Sequence, residues 1–357
     1  MKRTLLFFLL IPLSLCASEQ NREVVSPHWQ LLPAIGHTTE SGWILGLLPI
    51  WYPAEKGSAE FPSHVEFAAY GTTEGQYKVE AKPKITFGSG SFHLQSENSL
   101  LFWPSSYYGR GPFSALTPLS YDAEIAQSHS ALLYRARGRF WVGPIATLRF
   151  QSLDWHSPAL TPQEPGATES REVGFGIKGS YDLRNLRNAP THGALFSGEW
   201  EEFPSWIGNS DPYRRGMIDL RGYTTLLFET VVAVSLFAEQ QWGTPPLNAL
   251  LTPDGKKYLR GFQTDRFRDQ ALLVLSAELR VPLFWRFLAT FFSETGRVDD
   301  KISTILQERQ GWVQVFGVGG RFQLNREQKL NARGDLSFVS EPDREYFAIT
   351  IQVGEAF

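Results

Sequence analysis

The clearest pattern in the chain is a strict alternation at its C-terminus. Phe347, Ile349, Ile351, Val353 and Phe357 fall on one face, interrupted only by Glu355. Ala348, Thr350, Gln352, Gly354 and Ala356 fall on the other. A side-chain period of two belongs to a β-strand. One face is therefore apolar and the other small or polar. The pattern recurs upstream. In 271–281 the odd positions are apolar, while Ser276, Glu278 and Arg280 lie on the even face. In 286–297, Thr290, Phe292 and Glu294 share a face, and in 193–203, Ser197, Glu199 and Glu201 lie opposite Phe196, Gly198 and Trp200. In a soluble sandwich the apolar face would meet a second sheet. In an outer-membrane barrel it meets lipid, and the polar face lines a lumen.

The alternation predicts strands near 29–36, 43–52, 63–72, 76–87, 91–104, 128–137, 140–152, 171–182, 192–203, 213–227, 231–242, 270–281, 286–297, 312–322, 329–340 and 345–357. That is about sixteen, an even number as bacterial barrels require. Connections near 138–139, 228–230 and 282–285 are short, and their neighbours at 105–127, 153–170, 243–269 and 298–311 are long. With both termini in the periplasm, short turns and long extracellular loops alternate in phase. The fold expected is an all-β transmembrane antiparallel barrel over 29–357, and 243–269 is its sixth extracellular loop.

Composition agrees with a membrane setting. The aromatic content is 14%, with 26 Phe, 12 Tyr and 11 Trp, more than a soluble core needs. Aromatic girdles at two membrane interfaces use such residues. Met1-Lys2-Arg3, the apolar run 4–15 and small residues near Ala17 and Ser18 have the order of a secretory signal peptide, so 1–18 is expected to be removed. Residues 19–28, EQNREVVSPH, then form a short periplasmic segment. Cys16 is the single cysteine. It lies at a distance that suits lipidation, but Leu15 stands where a small residue is expected. If cleavage falls later, no disulfide can form. The net charge of -3 argues against nucleic acid as a partner. The partner expected is outer-membrane lipid.

Four short motifs in order resemble the bacterial surface antigen family, the barrel of BamA and TamA type outer-membrane proteins. Leu259-Arg260-Gly261-Phe262 is similar to that family's (V/L/I)-R-G-(F/Y) loop tip. Phe292-Ser293-Glu294-Thr295-Gly296 is similar to its F-x-D-x-G strand. Gly317-Val318-Gly319-Gly320-Arg321-Phe322 is similar to G-x-G-x-R-F. Tyr181-Asp182-Leu183-Arg184-Asn185 with Pro190-Thr191-His192-Gly193 is similar to its periplasmic turn. The resemblance covers about 175–357, and Tyr108-Gly109-Arg110-Gly111-Pro112 extends it more loosely. It implies that the sixth loop folds into the lumen and that Arg260 meets an inward carboxylate, Glu294 by preference and Glu278 as the second candidate. A guanidinium presents a planar fork to a carboxylate. Gly261 lets the tip turn without a Cβ clash, and Phe262 is expected on the inner wall. The resemblance further implies that Phe357 is read by the assembly machinery that inserts the barrel. Members that handle client proteins carry POTRA modules. None fits in 19–28, which leaves client capture to a separate periplasmic partner.

Catalytic chemistry is not expected. The seven histidines show no ligand spacing, so no metal or other cofactor is expected. Ser128-His129-Ser130 is read as an ordinary polar stretch entering a strand, with a lipid-facing hydrolase as the minor alternative. Three functions stay open. One is outer-membrane protein assembly or translocation, another a passive or plugged pore or structural barrel, and the last a lipid-acting enzyme.

Overall fold

The computed structural model describes residues 27–38, 42–54, 63–115, 117–186, 189–253, 258–263, 265–325, 330–353 and 355–356. The expected signal peptide with Cys16, most of segment 19–28, and Phe357 lie outside the described residues. The strands are β1 (His28–Thr38), β2 (Gly42–Tyr52), β3 (His64–Thr72), β4 (Tyr77–Phe87), β5 (Phe92–Tyr107) and β6 (Leu119–Arg137). They continue with β7 (Phe140–Trp155), β8 (Glu169–Asp182), β9 (Gly193–Phe203), β10 (Tyr213–Thr225) and β11 (Val231–Gly243). The last are β12 (Ala271–Pro282), β13 (Phe287–Asp299), β14 (Val313–Asn325), β15 (Leu330–Ser340) and β16 (Glu345–Val353). Among the described residues, one short α-helix, α1 (Ile302–Gln307), and four three-residue 3-10 turns lie between them. All sixteen strands form one sheet in sequence order, from β1 at one edge to β16 at the other.

The connections sort to two ends. The loop end carries 108–118, 156–168, 244–270 and 300–312. The turn end carries 138–139, 226–230 and 283–286. The 244–270 loop, the sixth at its end, turns into the concave side of the sheet. Its Asp265 accepts a hydrogen bond from Ser105 on β5 at 2.9 Å. Its Gln263 N–H donates to the Tyr346 hydroxyl on β16 at 3.2 Å. Those strands are far apart in the ladder, so the sheet curls around the loop.

The convex face is apolar and carries aromatic residues near both ends. Phe87 stacks on Phe92, which meets Tyr134 at a tilt, in a row at the turn end, and Tyr77 stacks on Phe102 toward the loop end. Tyr77 and Phe87 close the two ends of β4. Ten residues at about 3.3 Å each cover about 33 Å of strand. At a tilt of 35–45° this gives roughly 25 Å of height, the apolar band of a membrane barrel. No helix among the described residues is long and apolar enough to cross a membrane.

Two strands depart from expectation. β6 begins at Leu119 rather than near 128, with β5 reaching Tyr107, which shortens the predicted 105–127 loop to 108–118. The first residues of β6 do alternate, but with inverted polarity. Tyr121 and Ala123 are buried on the concave side against Leu153, Trp155 and Leu247 of the inward loop, whereas Glu124 is exposed. This strand end keeps polar groups on the convex side and packs its apolar groups on the loop. At the other terminus β16 stops at Val353 rather than 357. Glu355, past the ladder, points into the lumen, where it meets Arg321.

Candidate functional site: the inward loop and its carboxylate cage

The concave face changes character along the strands. Toward the loop end, Leu272 and Val274 of β12, Phe292 of β13, Val315 of β14 and Val339 of β15 bury the loop residues Leu259, Phe262 and Phe267. This is the apolar core, and it lies inside the curled sheet. Deeper along β12 the inward positions become Ser276, Glu278 and Arg280, all buried. The loop tip sits at that boundary.

Arg260 is 2% exposed. Its Nε donates to Glu294 Oε1 at 2.6 Å and its backbone N–H to Glu294 Oε2 at 2.7 Å. Nη1 donates to Glu278 and lies 3.7 Å from Asp335 Oδ2. The guanidinium carbon stands 3.5 Å from the centre of the Phe292 ring, a cation–π contact in a desolvated place. The structure therefore brings Arg260 to both carboxylates rather than to Glu294 in preference to Glu278.

The cage extends beyond that pair. Arg321 joins Asp335 at 2.6 Å, Glu278 at 3.1 Å and Glu355 at 3.2 Å. Arg280 donates to Glu278 at 2.6 Å and to the Pro190 carbonyl at 3.4 Å. Arg333 lies 4.0 Å from Asp335. Four guanidinium groups, at 260, 280, 321 and 333, thus face four carboxylates, at 278, 294, 335 and 355. Each buried charge has a counter-charge, as burial demands. Asp335 and Arg333 are not singled out in the sequence, where Arg280 and Glu355 are noted for their facing alone. Alternation places Arg333, Asp335 and Ser337 on one face of their strand, but nothing local shows what they meet.

The motif glycines leave the space that this arrangement occupies. A Cβ on Gly296 would lie 3.0 Å from Leu259 Cδ1, and one on Gly317 would lie 2.2 Å from Phe292 Cζ. One on Gly319 would lie 2.1 Å from Asp335 Oδ1. Gly261 adopts φ 79, and its Cβ would lie 2.7 Å from that of Ala348. Here both the left-handed backbone and the close approach call for glycine.

The turn-end motif is built separately. Asp182 accepts from Arg184 Nε at 2.9 Å and Nη2 at 2.8 Å. Asn185 Oδ1 accepts from the N–H groups of Thr191 and His192 at 3.1 and 3.2 Å. Gly193 has φ 103, with a neighbouring carbonyl where a Cβ would stand. Pro190 ties this turn to the cage through Arg280.

The other loop arginines hold other walls. Arg266, 1% exposed, reaches Asp343 at 2.5 Å and Ser114 Oγ at 2.8 Å. Arg268 donates to Asn248 at 3.1 Å and pairs with Asp265 at 3.1 Å. The 108–112 stretch latches onto the loop base. Arg110 pairs with Asp269 at 2.9 Å, Gly111 N–H donates to Arg268 O at 3.0 Å, and Gln263 donates to the Tyr108 hydroxyl at 2.6 Å.

Beside the cage a cavity of about 600 Å³ remains in the lumen, lined among others by Glu97, Arg149, Lys178, Glu199, Arg215 and Asp219. On this wall His129, Glu199 and Glu201 converge within 4.8 Å, a grouping that sequence spacing does not reveal because two strands distant in sequence, β6 and β9, supply it. Lys178 takes Glu199 at 2.7 Å, Arg215 takes Glu201, and His129 Nδ1 takes Thr147 at 2.8 Å, so cations already occupy the carboxylates. Ser128 and Ser130 bond Asn98 and Ser96 at 2.7 Å each. Adjacent strand residues face opposite sides, so neither serine shares a face with His129.

No family model and no curated protein matches the chain in sequence. In structure it is similar to BamA from Haemophilus ducreyi lacking POTRA domains 1–3, with a TM-score of 0.59 and 12% identity over 92% of this chain and 69% of that one. It is also similar to CdiB from Acinetobacter baumannii, with a TM-score of 0.55 and 10% identity over 92% of this chain and 59% of that one. At this identity the likeness shows a shared fold, a BamA-like sixteen-stranded β-barrel architecture.

Proposed function

We propose that this protein is an outer-membrane barrel of the BamA and CdiB type that acts in assembly or translocation of other proteins at the outer membrane. The observation that carries this reading is the anchoring of the inward loop by Arg260 on Glu294 and Glu278. A lumen can be filled more cheaply with apolar side chains, since buried ion pairs add little net stability over hydrophobic packing. A charged anchor of fixed geometry is better suited to a plug held in one register and released as a unit. Location in the outer membrane is supported by the apolar band, the aromatic rows and the secretory start of the sequence. The surface antigen family resemblance supports the assembly role. Depletion of the protein followed by quantitation of other outer-membrane barrels tests it. Their loss is the expected result, and unchanged levels overturn the assembly role.

The charge-balanced cavity favours a second reading, a plugged pore. Deletion of 243–269 in planar bilayers separates the two. A plugged pore gains large steady conductance with selectivity set by the cavity. In that reading depletion leaves other barrels untouched.

A further inference from the structure

Two adjacent turns at the turn end place aromatic residues where hairpin chemistry calls for small ones. In the turn 227–230, closed by Thr230 N–H to Leu227 O at 3.3 Å, the central residues Phe228 and Glu229 have φ 57 and 56. Two consecutive positive φ values belong to the turn that Asn-Gly ordinarily fills. In the turn 284–287, closed by Phe287 N–H to Phe284 O at 2.9 Å, Trp285 has φ 53. A bulky side chain in this region is a genuine outlier, and such strain persists only where the surroundings maintain it. Other tight turns at the same end avoid it. The 88–91 turn uses Gly88, Ser89 and Gly90 at its positive φ values, and the 138–139 turn is Gly138-Arg139.

The strained residues are also the most exposed apolar groups of their sector. Phe228 is 91% exposed and Leu227 80%, while Phe284 and Trp285 are each 70%. The 227–229 turn lies against β12, so the two tips are neighbours. The surface of the 284–285 tip runs into the convex apolar wall. Phe284 contacts Phe287 at 5.4 Å between ring centres, and Trp285 contacts Phe287 at 6.2 Å and Phe322 at 5.8 Å. The Arg286 guanidinium lies 5.3 Å from the Trp285 ring centre.

We propose that these two turns form a lipid foot, which inserts into the phospholipid leaflet on the periplasmic side beneath β10–β13. The inference rests on the outer-membrane reading above. Ring continuity with the lipid-facing wall selects lipid over a protein partner. Trp285 beside Arg286 has the order of a membrane boundary, with an aromatic body in the interface and a cation at the depth of lipid phosphates. The foot would seat this sector deeper than the sector of the 138–139 turn, tilting or thinning the bilayer beside β10–β13.

Spin labels on single cysteines test it. The full chain carrying Cys16→Ser is reconstituted in phosphatidylethanolamine and phosphatidylglycerol vesicles with Phe228→Cys, Trp285→Cys, Arg139→Cys or Ile349→Cys. Ile349, 74% exposed on the convex wall, reports lipid, and Arg139 reports the turn of the other sector. Labels at 228 and 285 are expected to be accessible to oxygen and shielded from a nickel chelate, as at 349, with the reverse at 139. Nickel access at 228 and 285 equal to that at 139, with 349 shielded, overturns the foot and leaves the barrel reading intact. So does shielding that arises only on addition of periplasmic extract, which identifies a protein partner. Nickel access at 349 as well removes the membrane reading and the foot with it. Phe228→Asn, which suits the left-handed position, is expected to fold and to lose part of the shielding at a label on 285. Unchanged shielding there counts against the two tips acting together.

Discussion

Glu294 holds Arg260 twice, through the backbone N–H at 2.7 Å and through Nε at 2.6 Å. A carboxylate that binds both the main chain and the side chain of one residue fixes the position of the loop tip as well as its charge. The backbone contact survives a change of side chain at 260, and the Nε contact is lost with the guanidinium.

Arg260→Ala is therefore expected to retain the backbone contact but to leave the buried Glu294 without its counter-charge, while Glu278 keeps Arg280 and Arg321. The expected loss of folded stability is about 3–5 kcal/mol. Glu294→Gln should cost less, because the amide oxygen still accepts one bond. Denaturant unfolding of the detergent-solubilised barrel measures both. A double-mutant cycle without coupling between the two positions removes the anchor. The swap Arg260→Glu with Glu294→Arg is expected to recover only part of the loss, since the fork then projects from β13.

Gly317 and Gly320 make an internal control. A Cβ at 317 meets the Phe292 ring at 2.2 Å, and one at 320 meets nothing within 4 Å. Gly317→Ala should cost about 1–3 kcal/mol by displacing the ring beneath Arg260. Gly320→Ala should fold as the parent does. Equal effects of the two substitutions would refute the packing role of position 317.

The latch at the loop base should separate into weak and strong parts. Arg110 is about one-third exposed where it meets Asp269, and Arg110→Ala should cost below about 1 kcal/mol. Arg266, buried among Ser114, Glu341 and Asp343, should cost several times more. Hydrogen exchange over 258–270 reads both, and a larger opening in the Arg110 variant would reverse the assignment.

Heat modification on gels tests the barrel itself. The unboiled protein should migrate apart from the boiled one, because the strand ladder resists detergent until heated. Co-migration with soluble fractionation would end the membrane reading. Deletion of Phe357 should lower the assembled level and leave export intact, and normal membrane levels would exclude a role for that residue in assembly.

Period-two alternation carried the strand order, the even number, the phase of long and short connections and the facing of Glu278 and Glu294. Each of these depends only on residues near one another in sequence, and an alternating face survives any choice of neighbour. The structure decided what depends on register across strands. Which charges meet Arg260 follows from pairings such as Glu278 with Phe292 and Gly319 with Asp335, and no local pattern encodes them. The inverted polarity at Tyr121 and Ala123 needs the inward loop as its packing partner. The exposed left-handed aromatics at 228 and 285 contradict their own turn chemistry, so only the folded chain places them there. Glu355, which sequence puts on the apolar face, turns inward because Arg321 and Arg280 lie within its reach once β16 has ended. A short-range code specifies faces, and the long-range closeness of buried charges specifies partners.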